Sequence, residues 1–219
     1  MLLLGFGNKA RNGKDTAATA IKDYFEKDYD NGYMAPQVKV GIFKYATALY
    51  AEVNEELSRP WDINKDRFTG FEERTGIKIP DWVTLDSNPE ISALAPYGKH
   101  PKLLQWWGTE YRRAQDENYW VKKTFASIPA NLDIAMITDV RFPNEVEGVR
   151  SRGGYTVNVQ RLREDGTQFY SSDRPATHPS EVAVDDPKYW DFFLKIPNGH
   201  AALLGELAIT LAVYLRGLK

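Results

Sequence analysis

Apolar positions along the chain alternate between two rhythms. Short continuous runs read as buried strands: Leu2-Leu3-Leu4-Gly5, Val38-Lys39-Val40-Gly41-Ile42-Phe43, Ile134-Ala135-Met136-Ile137-Thr138, Tyr155 to Gln160 and Phe192 to Ile196. Between them the spacing turns helical. Ala17, Ala20, Ile21, Tyr24 and Phe25 share one face of a first helix, which the polar stretch Asp28 to Gly32 ends. Further helices are predicted from Ala46 to Leu57, Leu103 to Arg113, Tyr119 to Ile128 and Asn144 to Ser151. The last of these is stopped by Gly153-Gly154. An amphipathic helix from Ala201 to Leu215 closes the chain. Strands alternating with helices predict an α/β fold, a mostly parallel sheet covered by helices on both faces.

One region breaks both rhythms. From Ser58 to Lys99 the chain is interrupted by Pro60, Pro80, Pro89 and Pro96, with Trp61 and Trp82 as anchors, and it reads as an irregular insertion (residues 58–99) on the substrate side. There is no repeat and no low-complexity tail.

The first strand runs into Asn8-Lys9-Ala10-Arg11-Asn12-Gly13-Lys14-Asp15-Thr16 and then directly into the first helix. Strand, small-residue loop, Gly-Lys and helix is the layout of a phosphate-binding loop, whose amides and helix N-terminus face an anion while the lysine reaches the outer phosphates. Asn8 stands at the first glycine position of G-x-x-x-x-G-K-[ST], a substitution that the left-handed tolerance of Asn permits. Asp15 stands at the hydroxyl position, where it can accept from a magnesium-bound water. The plain alternative is a strand–turn–helix start with a solvated lysine.

Composition narrows the class. In 219 residues, 42% hydrophobic and 26% charged, there is room for one large domain, spanning residues 1–219. No apolar run suffices to cross a bilayer, and the apolar N-terminus reads as a strand instead of a leader, so a cytoplasmic location and no membrane partner are expected. Without cysteine there is no thiolate metal site, and three scattered histidines disfavour a zinc centre. A net charge of -2 does not favour extended nucleic-acid binding.

Asp139 is placed just past the strand ending at Thr138, where ligands of open α/β sheets collect. It suits a metal-orienting or proton-accepting carboxylate, a helix cap being the plainer role. Arg141 suits a bidentate phosphate clamp. Gln105, Thr109 and Arg113, four apart, fall on one helical face fit for a nucleoside monophosphate, while Trp106 and Trp107 suit a core. Arg161, Arg163 and Arg174 bracket a polar stretch, Glu164 to Thr177, which is a lid or a solvated loop (residues 161–181). His178-Pro179-Ser180-Glu181 lacks a G-x-S-x-G elbow and is no hydrolase triad.

Gly13-Lys14-Asp15-Thr16, Leu104-Gln105 with Gly108-Thr109-Glu110 and Arg113, Thr138-Asp139-Val140-Arg141-Phe142-Pro143-Asn144-Glu145, and His178-Pro179-Ser180-Glu181 together resemble the phage-type deoxynucleoside monophosphate kinases, a branch of the P-loop kinases. The matches span most of the chain in the family's order, and the family similarly carries aspartate after the loop lysine. The resemblance implies a P-loop NTPase fold and transfer of the γ-phosphate of ATP, with Mg²⁺, to a deoxynucleoside 5′-monophosphate, in the cytoplasm of a phage-infected host cell.

Its implied ATP contacts are Asn8, Ala10, Arg11, Asn12, Gly13, Lys14, Asp15 and Thr16, with Asn198 near adenine. Metal placement falls to Asp15, Thr16 and Asp139. Lys14, Asp139, Arg141, Arg161 and Arg174 would serve catalysis, and Lys44, Gln105, Trp106, Thr109, Arg113 and Arg141 the acceptor. Two departures stand out: Asn8 for glycine, and Lys44 in Phe43-Lys44-Tyr45-Ala46-Thr47-Ala48-Leu49-Tyr50, where relatives often show an acid.

Two other readings stay open. A related enzyme class phosphorylates a hydroxymethylated pyrimidine base within DNA, for which Lys99, Lys102, Arg112, Arg113, Lys122 and Lys123 would form the cationic track. A nucleotide-holding module without turnover is the non-enzymatic reading. The aromatic insertion is compatible with a homodimer.

Overall fold

The computed structural model describes residues 1–27, 38–56, 71–73, 75–83, 90–171, 177 and 179–218, and the chain divides into two compact units, Met1–Lys44 with Thr124–Lys219, and Tyr45–Lys123. In chain order the strands are β1 (Leu2–Gly7), β2 (Val40–Phe43), β3 (Glu90–Ser92), β4 (Ala95–Lys99), β5 (Ile134–Val140), β6 (Tyr155–Leu162) and β7 (Phe192–Pro197). The helices are α1 (Lys14–Glu26), α2 (Tyr45–Glu56), α3 (Pro101–Gln105), α4 (Tyr119–Ser127), α5 (Pro143–Arg150), α6 (Pro179–Val182) and α7 (Ala201–Gly217).

The first unit is built on a five-stranded, all-parallel sheet in the order β2-β5-β1-β6-β7. Side chains alternate across a strand, so β1 serves both faces. Leu2, Leu4 and Phe6 join Ala17, Ala18 and Ile21 of α1 and Leu204, Ala208 and Ala212 of α7 in one buried cluster. On the opposite face, a Cβ added to Gly5 would lie 2.9 Å from Val149 of α5. Helices therefore cover the sheet on both faces, as the alternation of strands and helices predicts.

The strand order reverses at β1. The chain leaves it through α1 for β2 on one side, and β5 passes through α5 to β6 on the other. Ligand crevices of open α/β sheets form at the carboxyl end of such a strand. Gly7 ends β1 under a tight lid of side chain and backbone: an added Cβ would sit 2.2 Å from Trp190 Cη2 and 2.4 Å from the Val140 carbonyl oxygen. The carbonyl belongs to a buried strand and cannot step aside. Gly7→Ala is expected to destabilise the protein by about 3 kcal/mol, as overpacking does. A lowered urea midpoint at unchanged slope would show it.

Two boundaries differ from the sequence expectation. β5 runs on to Val140, so Asp139 lies inside the strand and not beyond it; the parallel ladder continues with Gly7 opposite Val140 after a register irregularity. α1 is complete at Glu26, and the polar stop at 28–32 lies outside the described residues.

In the second unit, part of the region expected to be irregular is a small antiparallel ribbon of β3 and β4, in which Glu90 opposes Lys99. Pro96 is tolerated because a two-stranded ribbon has two free edges. Trp82, expected as an anchor, is 39% exposed, while Pro60, Trp61 and Pro89 lie outside the described residues.

The segment predicted as one helix from Leu103 to Arg113 changes register midway. α3 is followed by a π-helix over Trp106–Arg113. There the hydrogen bonds run from i to i+5, and Gln105 and Thr109 are exposed with Arg113 half-buried along this stretch. Pairs five apart also meet: Gln105 Nε2 donates to Glu110 Oε1 at 3.3 Å, and the Trp106 and Tyr111 rings lie 5.7 Å apart.

Glu52 on α2 holds this register. Its Oε1 accepts from both Trp107 Nε1 (2.9 Å) and Arg112 Nε (2.5 Å), again five apart, and the guanidinium lies 4.7 Å from the Trp107 ring. In an α-helix two such residues would be about 140° out of phase, given 100° per residue, and one oxygen could not reach both.

Candidate nucleotide site

Between β1 and α1 the backbone enters the left-handed region at Asn8 (φ 87°), Arg11 (φ 56°) and Gly13 (φ 97°). Asn8 thus has the backbone that a glycine would otherwise supply, and Gly13 is the residue from which α1 springs. The loop is braced by asparagines. Asn8 Nδ2 donates to Asn158 Oδ1 at 2.7 Å, a buried amide pair linking the loop to β6. Asn12 Nδ2 donates to the Ala10 carbonyl at 2.9 Å, and its Oδ1 accepts from Arg161 N at 2.8 Å.

Lys14, the first residue of α1, is 7% exposed and curls back over the loop, donating from Nζ to the carbonyls of Asn8 and Lys9. Burial, reinforced by the nearby positive charge of Arg141, lowers its ammonium from the ordinary lysine range to about 7, against the opposing pull of Glu181, Asp15 and Asp139. An anion arriving at the loop would find a group ready to be charged.

Asp15 sits beside it with an exposed side chain. It accepts from Thr138 Oγ1 at 2.7 Å and pairs with Lys44 Nζ at 2.8 Å. Partial burial raises its carboxyl, but the bonds from Lys44 and Thr138 outweigh that and leave it below the usual carboxylate value. Lys44, at the end of β2, thus meets an acid of the loop helix. Thr16 is exposed at the mouth of α1, and Asp139 is half-buried in β5 with its charge felt at Lys14.

Arg141 follows β5. The Glu145 carboxylate accepts from the Arg141 and Phe142 amides at 2.7 and 3.1 Å, fixing the turn into α5. The Arg141 guanidinium pairs with Glu181 and donates to the Ser180 carbonyl at 3.3 Å.

On the other side of the loop, Arg11, Asn12, Gly13 and Thr16 form one wall of a cleft of about 300 Å³; Arg161, Asn198, Gly199, His200 and Leu204 form the rest. Arg161 Nε donates to Asn198 Oδ1 at 2.6 Å, and its guanidinium lies 4.2 Å from the Phe169 ring. Arg161 therefore stands at the cleft, one residue before the end of β6, bracketed by Asn198 and Phe169. Arg174 and His178 lie outside the described residues. Gln105, Trp106, Thr109 and Arg113 belong to the second unit: Gln105 and Thr109 are exposed, Trp106 is buried, and Arg113 is half-buried.

Three residues in and around the loop receive no site role from the local sequence pattern. Lys9 is 1% exposed; its Nζ donates to the Glu181 carbonyl, pairs with Asp185 and lies 5.3 Å from the Tyr170 ring. Asn158 and Glu181 meet the loop from β6 and α6, partners more than 140 residues distant in sequence. For Glu181 a trace existed in the quoted His-Pro-Ser-Glu motif, which assigns it no role.

Among the described residues, no three acidic, histidine or cysteine side chains converge as a metal cage. Asp15, Thr16 and Asp139 suit a magnesium ion that draws its remaining ligands from phosphates and water, the usual arrangement for this ion, and do not suit a protein-only cage. No described helix is long and apolar enough to cross a membrane. The sequence matches no protein-family model and no curated protein.

Proposed function

We propose that the protein is a P-loop kinase that transfers the γ-phosphate of ATP to a deoxynucleoside 5′-monophosphate. The observation that carries this reading is the loop itself. It is left-handed at Asn8, Arg11 and Gly13, wraps a buried Lys14 at the carboxyl end of the central strand, and borders a cleft large enough for a base. The resemblance of the Gly-Lys-Asp-Thr and Asp-Val-Arg-Phe-Pro-Asn-Glu segments to phage-type deoxynucleoside monophosphate kinases supports the same reaction.

In this reading an acceptor phosphate oxygen forms a bond to the γ-phosphorus as the bond to the β-phosphate oxygen breaks, yielding ADP and a deoxynucleoside diphosphate. The acceptor phosphate is already ionised, so no general base is required. The work of the chain is positioning and charge stabilisation. Lys14 and the loop amides hold the ATP phosphates, and Arg141 offers a two-pronged donor to a phosphate. Arg161 and Asn198 line the base cleft. Asp15, Thr16 and Asp139 would place Mg²⁺, which supplies neutralisation of phosphate charge when bound. Gln105, Thr109 and Arg113 remain candidates for the acceptor. Residues 161–181 would be the short lid and 58–99 the acceptor-side insertion.

Charge in the second unit favours a free nucleotide over a base within DNA. Of the six cations available for a backbone track, Arg112 and Lys123 pair with Glu52, Lys122 with Asp116 and Lys99 with Glu90. Engaged cations release few counterions from a duplex.

ATP consumption with Mg²⁺, measured across the four deoxynucleoside monophosphates, hydroxymethylated pyrimidine monophosphates and duplex DNA carrying the modified base, tests the assignment. ADP and a deoxynucleoside diphosphate forming together would support it. Transfer only to modified DNA would replace it with the base kinase, and ATP binding without turnover on any acceptor would reduce the protein to a binding module.

The Lys14 ammonium adds a pH signature. At pH 8 a group with a free-state value of about 7 is mostly neutral. Phosphates beside it favour the charged form, so binding takes up a proton and affinity falls as pH rises through 7. Calorimetric titration of ATP at pH 8, in two buffers of different ionisation enthalpy, is expected to show that uptake, and Lys14→Met to abolish it.

A further inference from the structure

We propose that Glu181 is an internal ligand of the phosphate loop: its carboxylate holds the Ala10 amide and the Arg141 guanidinium until an outer phosphate takes its place. This rests on the reading of the loop as a nucleotide site and adds a residue that sets its affinity.

The geometry is that of an anion in an anion site. Ala10 N donates to Glu181 Oε2 at 2.9 Å, while Arg141 Nη1 donates to Glu181 Oε1. Glu181 is 6% exposed, so the pairing lies in the interior of the site, away from bulk solvent. A carboxylate and a phosphate are both acceptors only, and they compete for the same donors. Arg141 has five N–H groups and can serve two anions. The Ala10 amide has one, so a phosphate that takes it must first displace Glu181.

Displacement needs only a side-chain rotation, because the backbone of this segment is fixed independently. Lys9 Nζ donates to the Glu181 carbonyl and pairs with Asp185, and Trp190 Nε1 donates to the Val184 carbonyl at 2.8 Å. Once released from Ala10, the carboxylate remains within reach of Arg141.

The place of the contact along the loop gives it selectivity. Inner phosphates belong to the helix N-terminus, at Gly13, Lys14 and beyond. Ala10 lies three residues before Gly13 and shares the Glu181 carboxylate with Arg141. The latch therefore opposes an anion at the Ala10 and Arg141 end of the loop, away from the helix N-terminus that takes the inner phosphates.

The test is titration of the full chain with a non-hydrolysable ATP analogue and with adenosine, in the wild type and in Glu181→Ala and Glu181→Gln. Removing a competing conformer raises apparent affinity by the reciprocal of the fraction of molecules that were free to bind. The variants are expected to bind the analogue about tenfold more tightly with adenosine binding unchanged. Weaker or equal binding of the analogue would overturn the proposal.

Should the variants fold poorly, the wild type supplies the answer. The Glu181 carboxyl carbon and the Ala10 amide are expected to shift together in NMR spectra as the analogue is added. Binding with an unmoved Glu181 resonance would also overturn it. If the wild type binds the analogue, and Lys14→Ala does not, a failure in the variants falls on Glu181 alone. A wild type that binds no nucleotide overturns the kinase reading together with this one.

Discussion

Lys14→Ala is expected to lower kcat/KM for phosphoryl transfer by a factor on the order of 10²–10³, the usual loss when one preorganised donor to a developing anion is removed from a water-poor site. The direction follows from where Nζ is held. It is buried, hydrogen-bonded only to loop carbonyls among its described partners, and flanked by the charges of Arg141, Glu181, Asp15 and Asp139. Such an ammonium loses solvation on folding that the loop carbonyls and nearby acids replace only in part, and an anion at the loop would add the rest. The same property makes the substitution mild for the fold. Burial depresses the ammonium, so the folded state binds fewer protons at this site than the unfolded chain between pH 7 and the ordinary lysine range. Stability from this group therefore rises with pH across that window. Alanine removes that cost, so the variant should be no less stable at pH 7 while turnover collapses. Steady-state kinetics beside thermal unfolding on one preparation would separate the two. Unchanged turnover in a folded variant would sink the phosphate-loop reading.

The parts of the fold that were legible in the sequence are those governed by local periodicity. β1 and β5 are continuous apolar runs because both faces of a parallel sheet are covered, and α1 and α7 show their buried faces at helical spacing. The loop was legible because Gly-Lys after a strand encodes a local geometry, and the left-handed backbone at Asn8 is the conformation its side chain best tolerates after glycine. What escaped depends on distant partners. Glu181 reaches Ala10 across 171 positions, and no local pattern could pair them. The π-register escaped for a related reason. The apolar and aromatic residues of Trp106–Arg113 suit an α-helix, and what selects residues five apart is a carboxylate on another helix, Glu52. The second unit thus owes its local structure to a tertiary contact.

That dependence makes Glu52→Ala the substitution with the largest expected effect on stability, about 2–4 kcal/mol, the range for removing one partner of a buried ion pair with some allowance for exposure of the other. Glu52 is 6% exposed and accepts from Trp107 Nε1, Arg112 Nε, Tyr119 Oη at 2.7 Å and Lys123 Nζ. Alanine would leave the buried indole N–H of Trp107 without this acceptor and would leave two cations facing each other across the gap. Arg112 would still lie over the Trp107, Tyr111 and Tyr119 rings, which limits the loss. The pH dependence gives a second, independent reading. Burial raises the Glu52 carboxyl, but bonds from Lys123 and Tyr119 and the charge of Arg112 prevail and hold it below its ordinary value of 4.5. A depressed carboxyl contributes stability that is complete above the unfolded value and is lost as pH falls through the folded one. Wild-type stability should therefore fall below about pH 4.5, more steeply than that of Glu52→Gln, which has no charge to titrate. The near-ultraviolet circular dichroism of the protein should change in both variants if the π-register goes with the charge. An unchanged near-ultraviolet spectrum in a destabilised Glu52→Ala protein would mean that the helix holds its register without the carboxylate.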